Sequence, residues 1–109
     1  MRATIHLLPW SPGIHVRSID SAVPDGLSVE ACASLLFEAS NLGDTTAPGR
    51  SMSVGDVVEV YTPAGRVILG CCDFGWVKLP INLLPDFASM SRFLRGKVFT
   101  GMHARTAAA

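Results

Sequence analysis

Asp56-Val57-Val58-Glu59-Val60-Tyr61-Thr62-Pro63-Ala64-Gly65-Arg66-Val67-Ile68-Leu69-Gly70-Cys71-Cys72 holds two runs rich in β-branched residues on either side of Thr62-Pro63-Ala64-Gly65. Proline at the second turn position and glycine at the fourth suit a type I turn, so the runs are expected to pair as a hairpin. Asp73-Phe74-Gly75 makes a further bend, and Trp76-Val77-Lys78-Leu79 reads as a third, shorter strand. Residues 55–79 are therefore expected to form a three-stranded meander.

Upstream, Val29, Cys32, Ala33, Leu36 and Phe37 recur at i, i+3, i+4, i+7 and i+8, while Glu30, Ser34, Glu38 and Asn41 fall on the other side. That spacing predicts an amphipathic helix, with Ser28 as its N-cap and Gly43 as its end. Thr4-Ile5-His6-Leu7-Leu8 and Ile14-His15-Val16-Arg17-Ser18-Ile19 read as strands across the turn-rich Pro9-Trp10-Ser11-Pro12-Gly13, giving an N-terminal hairpin. Residues 42–51 read as a surface loop.

Near the C-terminus, Phe87, Met90, Phe93 and Leu94 mark a short second helix that starts near Asp86 and ends at Gly96. Val98-Phe99-Thr100 is expected to add an edge strand, and residues 103–109 a frayed tail. The expected fold class is α+β: a small, mostly antiparallel sheet, hairpin plus meander, packed against one main helix, with a short second helix near the C-terminus.

A length of 109 residues bounds this to a single domain over 1–109 and excludes a second catalytic domain. A hydrophobic fraction of 49% and a mean hydropathy of +0.36 supply a core and argue against disorder. No stretch reaches the ~18–20 apolar residues that cross a bilayer, and the N-terminal apolar run breaks at Pro9 and Pro12, so neither a membrane span nor an export signal is expected. Three cysteines, Cys32, Cys71 and Cys72, make a poor disulfide framework. Separate buried thiols in a reducing cytoplasm fit them better.

The formal net charge is zero but unevenly placed. Residues 1–86 carry five basic and nine acidic side chains, and residues 87–109 carry four basic and none acidic, so the two segments stand at −4 and +4. Arg92, Arg95, Lys97 and Arg105 are thus candidates to meet phosphates or an acidic protein surface. A solvated helix face is the plainer reading of Arg92 and Arg95. Trp10, in its proline-rich turn, and Phe74 and Trp76, at the meander bend, are candidate partner-binding anchors, with core packing as the alternative for Trp76.

Catalytic patterns are thin. Asp73-Phe74-Gly75 copies a kinase magnesium motif without the other kinase elements, and Gly96-Lys97 lacks the rest of a phosphate loop. His6, His15 and His103 are scattered, so no metal or cofactor is expected, although His6 and His15 facing each other with Cys71 or Asp73 is a conceivable site. Ser51 and Ser53 near Asp56 are better explained as a turn, along with Gly55, in which hydroxyl and carboxylate bond to local amides. Asp56 and Glu59 lie three apart and would project to opposite faces of a strand, so they form no acid–base pair. The chain is expected not to be an enzyme.

Arg50-Ser51-Met52-Ser53-Val54-Gly55-Asp56-Val57-Val58, followed by Phe74-Gly75-Trp76-Val77-Lys78-Leu79, resembles the YodL-like domain, as does the preceding helix end Phe37-Glu38-Ala39-Ser40-Asn41. The similarity spans residues 28–79. It implies an accessory protein of a plasmid, conjugative element or phage, and implies no catalytic residue. The expected function is a non-catalytic module that binds a larger host protein or complex, with inhibition of a restriction or CRISPR nuclease as one example. The alternative is a nucleic-acid-binding accessory protein acting through the basic C-terminal segment.

Overall fold

The computed structural model describes residues 1–8, 17–41, 53–73 and 75–108. Five strands form one antiparallel sheet: β1 (Arg2–Leu7), β2 (Arg17–Ala22), β3 (Val57–Thr62), β4 (Gly65–Cys72) and β5 (Gly75–Leu79), in the spatial order β2-β1-β3-β4-β5. The expected hairpin and meander are both present, although β2 runs on to Ala22 rather than ending at Ile19, and the expected turn at 9–13 and strand start at 14–16 lie outside the described residues. β1 joins them by pairing with β2, with Ile5 opposite Ile19, and with β3, with Ile5 opposite Val58. The β3–β4 turn closes with Thr62 paired to Gly65, and the Thr62 hydroxyl donates to the Gly65 carbonyl at 2.7 Å.

Helix α1 (Val29–Asn41) follows β2 and packs on β3 and β4. Its cap is the predicted one, with the Ala31 amide donating to Ser28 Oγ at 3.1 Å. Cys32, Ala33 and Leu36 are buried against Ala3, Ile5, Leu7, Val58, Val60 and Leu69, the side chains that the pleat sends to this face. Gly43 and the loop over 42–51 lie outside the described residues.

The opposite face carries a second core. Val57, Ile68, Cys72, Val77 and Leu79 point away from α1 and are covered by α2 (Leu84–Ala88) and α3 (Arg92–Ala108). The molecule is therefore three-layered over β4 and its neighbours, where the sequence predicts a sheet and one helix layer. A strand covered on both faces needs a continuous apolar run, which Val57-Val58 and Ile68-Leu69 supply; all four are fully buried.

The C-terminal segment differs most from expectation. A short helix is present as α2, preceded by a 3-10 turn at Ile81–Leu83, but it ends at Ala88. Ser91 then starts a new helix, accepting the Leu94 amide on its hydroxyl at 3.2 Å. α3 runs through Gly96, through Val98-Phe99-Thr100 and through residues 103–108, so there is neither an edge strand nor a frayed tail there. Gly96 does not stop the helix because it faces Val54: a Cβ at Gly96 would lie 3.4 Å from Val54 Cγ1, and the missing side chain permits the close approach.

Phe99 anchors α3. It is fully buried, meets Phe87 edge-on at 5.1 Å between centroids, and fills a notch left by Gly70, where a Cβ would lie 2.7 Å from the ring. Burial of such a side chain contributes about 1.5–3 kcal/mol.

Candidate functional site

The functional surface begins with the turn that launches β3. Gly55 has φ +95°, a conformation that disfavours side chains, and the Asp56 amide donates to the Ser53 carbonyl at 3.0 Å. The buried Asp56 carboxylate accepts the Ser53 amide at 2.9 Å and the Leu8 amide at 3.1 Å, tying the turn to the end of β1. Asp56 thus has the turn-building role expected of it. The Ser53 hydroxyl does not: it is buried and has no hydrogen-bond partner among the described residues. Ser51 lies outside them.

Arg95 binds this turn to α3. Its side chain is 0% exposed; Nε donates to the Gly55 carbonyl at 2.8 Å and Nη1 to the Met90 carbonyl at 2.6 Å. The expectation that Arg95 lies on a solvated face or meets a partner is therefore corrected. It occupies the sheet-facing stripe of α3, one turn before Phe99, and hides its charge by donating to backbone oxygens.

With its inner side fixed, α3 turns a different set of side chains outward. Phe93 is 73% exposed and Leu94 46%. Lys97, one turn after Phe93, holds its Nζ 4.7 Å from the Phe93 ring centroid. Beside them lies a groove of about 670 Å³ lined by Val54, Asp73, Arg92, Phe93, Gly96, Lys97 and Thr100. Arg92 and Lys97 therefore share a surface, as the sequence suggests, and Phe93 joins them. The spacing of Phe93 places it on a helix, and Arg95 and Phe99 on the inner stripe set its outward direction.

The aromatic candidates fare differently. Trp76 is half-buried in the seam between α1 and β5, edge-on to Phe37 at 6.2 Å, with Nε1 donating to Ser34 Oγ at 3.1 Å. It ties the helix to the sheet rather than standing out as an anchor. Trp10 and Phe74 lie outside the described residues.

A polar network on the α3 side of β1, β2 and β3 escaped the sequence reading. Glu59, 2% exposed, is held at one oxygen by Arg66 Nε and at the other by His6 Nε2 at 3.0 Å; His6 Nδ1 in turn lies 3.0 Å from Ser18 Oγ. A second row has the Thr4 hydroxyl donating to Asp20 at 2.8 Å and lying 3.2 Å from the Tyr61 hydroxyl. Burial alone would raise the Glu59 pKa. The hydrogen bonds and charges of Arg66 and His6 outweigh it and hold the carboxyl below its usual range. The available signal was alternation: His6 and Thr4 share a face of β1 that Ala3, Ile5 and Leu7 leave polar.

His6 and Cys71 do not converge, because Cys71 pairs with Trp76 on the α1 side of the sheet. His15 lies outside the described residues, and among those described no three His, Cys, Asp or Glu side chains gather as a metal site. The three cysteines are buried and unbridged. Burial, reinforced by neighbouring acidic groups, pushes the Cys71 thiol up to about 12 and the Cys72 thiol up to about 11, so both stay protonated at neutral pH. No described helix is long and apolar enough to cross a membrane. No family model, curated protein or solved structure matches the chain.

Proposed function

We propose that the chain is a protein-binding accessory module that docks through the outer face of α3, without chemistry at that groove, onto an acidic and partly apolar surface of a larger host protein. The observation that carries this reading is Phe93, 73% exposed on a helix whose inner side is locked by Arg95 and Phe99. A large aromatic side chain on a rigid element, flanked by Arg92 and Lys97, has the composition of an interface hot spot. The cations select an acidic partner and the ring gives the contact its apolar area. A mobile-element setting, with a host defence nuclease as one such partner, rests on the resemblance of residues 28–79 to the YodL-like domain.

Nucleic-acid binding through the same helix is the competing reading. Burial of Arg95 weakens it, because one of the four C-terminal cations then faces the protein's own backbone. Affinity capture from host lysate, run with and without nuclease, separates the two. The binding-module reading expects a near-stoichiometric protein that survives nuclease and is lost with Phe93→Ser/Lys97→Glu. Capture that collapses with nuclease supports nucleic acid instead, and capture unchanged by the double variant overturns the α3 assignment.

A further inference from the structure

We propose that Ser18, His6 and Glu59 form a nucleophilic relay in which Ser18 accepts acyl groups from small activated esters, an activity separate from docking at α3. The three side chains come from three adjacent strands: Ser18 on β2 directly opposite His6 on β1, and Glu59 on β3. Contacts of 3.0 Å link Ser18 Oγ to His6 Nδ1 and His6 Nε2 to Glu59. A hydroxyl within reach of a base that is itself oriented by a third group is the geometric signature of an activated nucleophile.

The network also fixes the tautomer. Glu59 is buried between two donors and stays ionised, so it only accepts, and in its neutral form the His6 ring carries its proton on Nε2. That leaves the Nδ1 lone pair facing the Ser18 hydroxyl. Arg66 already gives Glu59 a full counter-charge, so the extension through His6 to an exposed serine exceeds what neutralising a buried carboxylate requires.

The chemistry balances within these groups. Ser18 Oγ bonds to the acyl carbon as Nδ1 takes the hydroxyl proton, and Glu59 holds the resulting imidazolium. The bond from the acyl carbon to the departing oxygen then breaks, and the proton passes to that oxygen. Water repeats the sequence on the acyl-serine, giving the carboxylic acid and restoring Ser18.

The test treats the full chain with p-nitrophenyl acetate, follows p-nitrophenolate release, and maps acetyl groups by peptide mass spectrometry after acid quench. Ser34 and Ser89, exposed and without a histidine contact among the described residues, are internal references in the same sample. A positioned general base is worth about 10²–10⁴-fold, so Ser18 is expected to acetylate, or to sustain p-nitrophenolate release that Ser18→Ala abolishes, at least about 100-fold faster than either reference serine. His6→Gln is expected to remove that advantage with the circular dichroism spectrum unchanged. Ser18 reacting no faster than Ser34 and Ser89 in the wild-type protein overturns the proposal, as does a folded His6→Gln variant that retains the advantage.

Discussion

Replacing Arg95 with methionine fills much of the same space but removes both donors from the carbonyls of Gly55 and Met90. Hydrogen bonds from a charged group contribute about 1.5–3 kcal/mol each, and a carbonyl left without a donor costs about 1–3 kcal/mol. Relief from desolvating the guanidinium offsets part of that loss. The expected net destabilisation is about 2–3 kcal/mol, which for a domain of this size lowers Tm by about 8–24 °C. Urea unfolding followed by circular dichroism measures it, with exposed Arg105→Met as a control expected within about 0.5 kcal/mol. Arg95→Lys should recover little, because an ammonium lacks the planar fork that spans two acceptors. An Arg95→Met variant within about 0.5 kcal/mol of wild type would mean that Arg95 does not brace the Gly55 turn against α3.

Gly70→Ala should destabilise by about 1–3 kcal/mol, since its Cβ would meet the fully buried Phe99 ring at 2.7 Å; urea titration reads it. Glu59 titrates below its usual range in the folded chain, so its contribution is fully present above the ordinary glutamate value of 4.5 and is lost as pH falls through the depressed value. The urea midpoint of the wild type should accordingly fall more steeply as pH drops below 4.5 than that of Glu59→Gln, and equal slopes would contradict the ion-pair account. Cys71 and Cys72, pushed up to about 12 and about 11, should react slowly with a disulfide reagent at neutral pH in the folded protein and rapidly in urea. Comparable rates in both states would mean that the thiols are not buried as described.

Local patterns carried the sequence reading as far as each element's own residues could. The β-branched runs and the Thr62-Pro63-Ala64-Gly65 turn specify the β3–β4 hairpin, and the spacing of Cys32, Ala33, Leu36 and Phe37 specifies α1, because each signal is local in sequence. α3 was hidden by its own packing. Its inner stripe includes an arginine whose guanidinium donates to the carbonyls of Gly55 and Met90, and Gly96 reads as a terminator until Val54 lies against it. The Ser18, His6 and Glu59 network depends on the strand order, in which β1 sits between β2 and β3, and no local pattern encodes that order. Arg92 and Lys97 were found from the charge imbalance alone, whereas Phe93 needed the helix rotation to be known.

Docking through the outer face of α3 makes Phe93 and Lys97 the residues on which partner affinity depends. The most direct measurement is the dissociation constant of the nuclease-resistant partner recovered by affinity capture, determined by calorimetry for wild type and for Phe93→Ser/Lys97→Glu. Loss of a hot spot of about 2 kcal/mol or more predicts a Kd weakened by at least about 30-fold with Tm essentially unchanged. A Kd within about twofold of wild type would contradict the account.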